Sequence, residues 1–219
     1  MNTPAPACTF VYLASQSPRR QQLLQQLGVQ HQPLLPGDDE DAEALEAERP
    51  GELPLAYVQR VTRAKLRAAQ QRLHRRGLPA APIVCADTTV ALGRRILGKP
   101  ADAAAAAATL QQLSGRSHRV LTAVALALPG QRALRLAVNV SHVRFAVLPP
   151  AVLAAYVHSG ECFGKAGAYA IQGPLAGWIT HIRGSHSGIM GLPLFETAQL
   201  LQRAGVPMAL SVPARAASL

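Results

Sequence analysis

Thr9-Phe-Val-Tyr-Leu-Ala14 runs straight into Ser15-Gln16-Ser17-Pro18-Arg19-Arg20, and the reading of this stretch decides the fold. The first six residues, apolar with β-branched and aromatic members, read as a short buried strand. From Pro18 to Leu27 the leucines at 23, 24 and 27 share one helical face. Ser17 is a natural N-cap, Pro18 a natural first helical residue and Gly28 a natural stop. The chain therefore opens as strand, tight loop and helix. Two arginines in the first turn of that helix face the positive end of its dipole, which is unfavourable unless an anion is present. Free backbone N–H groups at the same place favour phosphate, and Ser15 and Ser17 add hydroxyl donors. Ser-Pro helix starts also occur without a ligand, with arginines folded back onto solvent, so the loop alone is compatible with both readings.

Working outward, Val58, Val61, Leu66 and Leu73 mark a helix from about Leu55 to Arg75. Ile83 to Leu92 reads as a central strand interrupted by Asp87, and the Ala-rich stretch from Pro100 to Leu113 as a helix. His118 to Leu128 and Arg132 to Leu148 form an expected antiparallel pair turning at Pro129-Gly130. A short helix from Pro150 to Val157, a Gly-rich loop from Gly160 to Gly177 and a last strand from Trp178 to Ile182 follow. A loop from Gly184 to Gly191 then precedes a final helix from Pro193 to Arg203, closed by Gly205. The alternation gives an α/β class with a mixed sheet. Residues 1–8 are expected to be flexible, 9–206 to form a single domain, and the tail 207–219 to be mobile.

Composition narrows the class. Of 219 residues, 49% are hydrophobic and only 4% aromatic, enough for a core and against global disorder. No apolar run is long enough to cross a bilayer, and residues 1–8 lack a basic segment leading into an apolar one, so a cytoplasmic location is expected. The three cysteines (Cys8, Cys85, Cys162) form no CxxC, which points to reduced thiols and no zinc site. The net charge of +10 suits a polyanionic partner, but with four Phe, four Tyr and one Trp no aromatic stacking platform is evident. Nucleic acid and membrane are not expected as partners, and a P-loop is absent.

Three further features carry chemistry. Asp87 places a carboxylate in an apolar strand, where it needs a cation, a metal or hydrogen-bond donors. It lies near a strand end, where α/β sheets usually carry ligands; a structural Asp capping a neighbouring loop would look the same. The acidic run Asp38-Asp39-Glu40-Asp41 is most often a solvated turn, yet beside a phosphate loop it could supply oxygens to Mg²⁺ or Mn²⁺. Lys65, Lys99 and Lys165 are the only lysines among 22 basic residues of the Lys and Arg types. Where arginine so dominates, each retained lysine invites a functional question.

On these residues the chain resembles the Maf family, once described as septum-formation inhibitors. SQSPRR after a strand resembles the family's first block, and ADTTV with LGKP its second. SGRSHRVLTAVAL resembles its third, and GKAGAYAIQG with GSHSGIMGLPL its last two, all in order from about residue 9 to 203. The resemblance implies a two-lobed fold around a mixed, elongated sheet, similar to inosine triphosphate pyrophosphatases, with a nucleotide cleft between the lobes. It implies metal-assisted hydrolysis of nucleoside triphosphates to monophosphate and pyrophosphate. Asp87 matches the family's proton acceptor and Glu40 a second acid, the two holding a divalent metal, Mg²⁺ or Mn²⁺. Ser15, Arg20, Lys65, Lys99 and Lys165 match residues around the phosphates. Arg19, Thr88 and Gln172 resemble the branch acting on dTTP and UTP rather than the one acting on 7-methyl-GTP, which tends to carry Trp, Gln and Glu at the matching places. A Gln amide, both donor and acceptor, suits a pyrimidine imide edge. The sequence leaves open a 7-methyl-GTP activity, a non-enzymatic nucleotide or nucleic-acid binder, a homodimer, and which carboxylate is base and which is ligand. Gly164 and Ala170 depart from the family's usual acidic residue and glycine.

Overall fold

The computed structural model describes residues 9–210. The expected flexible segment 1–8, with Cys8, and residues 211–219 lie outside the described residues. Strand β1 (Val11–Leu13) leads into helix α1 (Pro18–Gln26), then β2 (His31–Pro33), helix α2 (Pro54–Arg75) and the ten-residue β3 (Ile83–Leu92). After these come β4 (Arg95–Leu97), α3 (Ala103–Leu113), β5 (Ser117–Ala127), β6 (Arg135–Phe145), α4 (Pro150–His158) and β7 (Ile179–Arg183). Two helices, α5 (His186–Met190) and α6 (Leu194–Gln202), complete the described fold. The strands form one seven-stranded sheet in the order β2-β1-β3-β5-β6-β7, with β4 also paired to β3. β1 runs parallel to β2 and to β3, and every other pairing is antiparallel. The sheet is mixed, as expected.

Two partners share the same edge of β3 without meeting. β1 pairs with it at Ile83 and Val84, and β4 pairs with it at Val90 to Leu92. The intervening residues 85–89 have no strand on that side. The apolar packing divides at the same place. Leu23, Leu24 and Leu201 of α1 and α6 cover one face of β1 and early β3, and Leu66 and Ala69 of α2 cover the other. Past the gap, Val90 and Leu97 join α3, α4, Val120 and Phe145 in a separate cluster. Two apolar cores on one continuous strand leave an opening where β3 passes between them. Alternation then sends Asp87 toward α2 and Thr88 toward the opposite face.

Some expectations shift. β2 and β4 were not foreseen, and the segment expected as a loop at Gly184 to Gly191 holds α5, whose N-cap Ser185 accepts from Gly188 N–H. The tail expected to be mobile from Pro207 begins docked: Ala209 N–H bonds the Leu27 carbonyl at 2.9 Å. Gly28 has φ +70°, and a Cβ there would meet Ala209 Cβ at 2.7 Å, so this glycine both ends α1 and admits the returning chain. Cys85 and Cys162 are buried and free, in keeping with reduced thiols. Among the described residues no helix is long and apolar enough to cross a membrane.

Candidate active site

Over the unpaired stretch of β3 lies a cavity of about 1150 Å³. Ser15, Arg19, Arg20, Glu40, Lys65, Asp87, Thr88, Lys99, Lys165 and Gln172, far apart in sequence, all line it. Asp87 is 7% exposed. Its Oδ1 accepts from Lys65 Nζ at 2.6 Å, and Oδ2 has no partner among the described residues. Lys65 Nζ donates equally to Glu46 Oε1 at 2.6 Å, while Lys99 Nζ takes Glu46 Oε2 at 2.7 Å. Two lysines and two carboxylates thus form one chain of ion pairs. Burial works to lower the pKa of Lys65, but the Asp87 and Glu46 charges outweigh it and the net shift is upward. For Glu46, burial pushes up and the two lysines prevail, holding the carboxyl below its ordinary value.

The backbone around Glu46 is clamped by α2. Tyr57 Oη donates to the Glu46 carbonyl at 2.7 Å, and Arg60 donates to the carbonyls of Leu45 (3.4 Å) and Ala47 (2.8 Å). Arg60 is itself fixed by Glu52, with both contacts at 2.7 Å. Glu40, expected beside Asp87, sits elsewhere on the same wall. Arg72 grips its carboxylate with Nε at 2.8 Å and Nη2 at 2.6 Å, and Arg75 Nη2 adds a third bond at 2.8 Å. Both Glu40 oxygens are therefore taken by guanidinium groups. The carboxylate joined to Asp87 is Glu46. Lys65 and Arg72 lie seven residues apart, two turns on one face of α2, and each draws a different acid from the preceding loop.

Across the cavity, Arg20 spans three elements. Its Nε donates to the Gly191 carbonyl at 2.8 Å, Nη1 to Ser15 Oγ at 3.1 Å and Nη2 to Thr88 Oγ1 at 3.4 Å. Gly191 has φ +118° at the end of α5, and a Cβ there would lie 3.3 Å from Arg20 Nε, tight enough to favour glycine. Ser17 stands at the N-cap of α1, as expected, but its hydroxyl makes no capping bond. Pro18 has no N–H and the Arg20 N–H is turned to the Ser17 carbonyl at 3.1 Å, so of the first-turn amides the one at Arg19 has no partner among the described residues and remains for an anion. Burial and the Arg20 charge lower the pKa of Arg19, with Glu161 partly opposing. Lys165 Nζ donates to the Glu161 carbonyl and lies 3.6 Å from its carboxylate. Gln172 is exposed and has no protein partner among the described residues.

A family model described as Maf-like protein matches residues 10–204. The chain belongs to the Maf family. It is similar to a dTTP/UTP pyrophosphatase of Polaromonas sp., 62% identical over 201 residues that cover 92% of this chain and 98% of that protein. A dTTP/UTP pyrophosphatase of Albidiferax ferrireducens is 62% identical over 196 residues, covering 90% and 97% of the two chains. One from Burkholderia pseudomallei is 60% identical over 202 residues, covering 92% and 97%.

In this Maf chain the first, second, fourth and fifth sequence blocks wall the cavity, while the third reaches it only through Val120. The sequence reading missed Glu46, Tyr57 and Arg60. Glu46 sits in Ala44-Leu45-Glu46-Ala47-Glu48, which reads as any solvated acidic segment. The two departures have simple geometry. Gly164 has φ +68°, a left-handed position that glycine fills without strain and that Asp or Asn also tolerates. Ala170 has no positive φ, so its site does not need glycine torsions; those fall on Gly164, Gly167 and Ala168. Among the described residues no group of three or more His, Cys, Asp or Glu is gathered for a metal.

Proposed function

We propose that this chain hydrolyses dTTP and UTP to the monophosphate and pyrophosphate, by attack of water at the α-phosphorus. The observation that carries this reading is the Asp87–Lys65–Glu46 chain facing the Ser15–Arg20 loop across one cavity. Carboxylates for water and metal lie on one wall, and phosphate donors on the other. The relatives named above bear the same activity in their names.

The donor set suits a divalent cation, Mg²⁺ or Mn²⁺, bound partly through substrate. Asp87 and Glu46 offer carboxylate oxygens within reach of one ammonium group, and two carboxylates completed by phosphate oxygens and water are typical of Mg²⁺. Glu40, with both oxygens on arginines, is the weaker ligand. The bound cation would offset charge developing on the phosphates and make a bound water more acidic. Asp87 orients the attacking water and accepts its proton at Oδ2, while Lys65 holds Oδ1. Arg20, Ser15 and the Arg19 amide bind phosphate oxygens on one side, and Lys99 and Lys165 on the other, stabilising the departing pyrophosphate. Gln172 reads the pyrimidine edge. Thr88, bonded to Thr122 Oγ1 at 3.0 Å as well as to Arg20, sets the Arg20 fork and, with Arg19, the subclass. A cytoplasmic location goes with such substrates.

The test is a panel of UTP, dTTP, CTP and 7-methyl-GTP with Mg²⁺ or Mn²⁺, scored for pyrophosphate against phosphate. UTP and dTTP should lead, with pyrophosphate as product. Asp87→Asn should lower kcat about 10²–10⁴-fold while leaving the fold intact. Release of phosphate, or a variant that keeps more than about a tenth of the activity, contradicts the reading.

A further inference from the structure

Among the described residues only one non-glycine, Ala168, holds a positive φ, at +60°. An alanine in this region is strained and persists only where its surroundings hold it. Its neighbours are equally confined. Gly167 has φ +70°, and a Cβ there would come within 2.8 Å of Val90 Cγ1, three residues beyond Asp87. The Gly167 N–H bonds the Gly98 carbonyl at 3.1 Å, next to Lys99. The segment 165–172 is therefore pressed against the cavity wall, with Lys165 at its start and Gln172 at its end.

Behind this segment sits a polar contact in an apolar cluster. Tyr169 Oη and His118 Nε2 lie 2.7 Å apart, in residues 6% and 2% exposed. His118 stacks on Phe145 at 5.6 Å between ring centroids, and Tyr169 meets both rings edge-on. His118 Nδ1 is buried without a partner among the described residues. Burial pushes the His118 pKa down to about 4, so the ring is neutral at pH 7. An imidazole buried this way is unfavourable by packing alone, because one nitrogen has lost water and gained nothing. What it supplies is direction: a hydrogen bond fixes the tyrosine where apolar contact would let it slide. Tyr169 borders the cavity, whereas His118 is not among the residues that line it, so the variants at His118 separate the strut from direct contact of Tyr169 with a ligand.

We propose that the His118–Tyr169 hydrogen bond is the strut that holds the strained 165–172 segment against β3, making His118 a positioning residue for Lys165 and Gln172. The bond offsets the strain at Ala168, and without it the segment relaxes and both side chains lose their placement. The inference rests on the pyrimidine-reading role proposed for Gln172.

The experiment uses the full chain with Tyr169→Phe, His118→Phe, His118→Gln and the double Phe variant, each checked for native circular dichroism. Tyr169→Phe removes a single hydroxyl and is the variant least prone to misfold. With UTP, KM should rise about tenfold in both single Phe variants, the upper range for one hydrogen bond. Their kcat should fall as well, because a displaced Lys165 supports the departing pyrophosphate less, and the preference for UTP over CTP should fall. His118→Gln, whose amide can still bond Tyr169, should recover most of the loss, and the double Phe variant should be no worse than either single one. Amide hydrogen exchange across 165–172 should quicken in the Phe variants, a readout that needs no turnover. Unchanged exchange in folded Tyr169→Phe, or additive effects in the double variant, would overturn the strut. A wild-type chain inactive on UTP and dTTP would remove the proposed function instead, and exchange would still decide the strut.

Discussion

Lys65 and Arg72 present opposite solutions to one problem, a cation held on the inner face of a helix. Lys65 bridges two carboxylates that line the cavity, whereas Arg72, 4% exposed, closes its fork on Glu40 and spends Nη1 on the Leu34 carbonyl at 2.8 Å. The first arrangement can be rearranged by a ligand, and the second is a structural tie. The roles of the two acids should therefore separate. Glu46→Gln should cut kcat/KM for UTP about 10²-fold and lower the melting temperature near neutral pH only modestly, because the charge it removes serves the site as well as its two lysines. Glu40→Gln should lower stability by about 1–3 kcal/mol, since it weakens a charged bond to a buried guanidinium, and should affect kcat/KM far less. The folded pKa of Glu46 is depressed, so its stabilising contribution is complete above its unfolded value near 4.5 and disappears as pH falls through the lower folded value. Glu46→Gln should accordingly flatten the acid limb of stability below about pH 4.5, as read by thermal melts against pH. Equal losses of activity in both variants would erase the distinction. Asp87 was legible in the sequence because a carboxylate in an apolar strand demands a partner. Glu46 was not, because its pairing depends on how residues 36–53 cross to α2, and residue type carries no record of that route.

At the scale of elements, legibility followed length. β3 was read at Ile83 to Leu92, the bounds the fold gives it, and β5, β6, α2 and α6 differ from their expected limits by about three residues or fewer. β2 and β4 escaped because three residues carry no period, and each exists only through a neighbour, β1 or β3. Helix α3 was expected from Pro100 but begins at Ala103, for a local reason: the Asp102 carboxylate accepts from Ala105 N–H at 2.7 Å and fixes the start. An Ala-rich helix gains little from side-chain interactions on its exposed face, so the cap matters. Asp102→Ala should destabilise the protein by about 1 kcal/mol in urea unfolding while leaving kcat/KM for UTP unchanged. A loss below about 0.3 kcal/mol would mean that packing through Leu110 and Leu113, not the cap, sets the helix start.

Across the whole molecule, charge is segregated in a way the net value of +10 conceals. Eight of the 12 acids fall between Asp38 and Glu52, and none occurs between Asp102 and Glu161. The fold pairs three of these acids, Glu40 with Arg72 and Arg75, Glu46 with Lys65 and Lys99, and Glu52 with Arg60, while Asp41, Glu43 and Glu48 line the cavity with no ion pair among the described residues. The sequence shows both the excess and the acidic cluster, but only the fold shows that seven basic and six acidic side chains come together around one cavity. A triphosphate approaching from solvent therefore meets a nearly balanced cleft in a molecule of net charge +10, and it is the overall charge that favours its encounter before any contact forms. Screening should remove that advantage, because the Debye length falls from about 10 Å at 0.1 M salt to about 3 Å at 1 M. At constant free Mg²⁺, kcat/KM for UTP should fall about tenfold over this range, while kcat at saturating UTP stays within about twofold, since groups in contact are screened far less than groups at a distance. Steady-state rates at four or five salt concentrations would decide it. A flat kcat/KM would mean that capture is limited by desolvation inside the cavity, and that the excess of arginine over acid serves no part of catalysis.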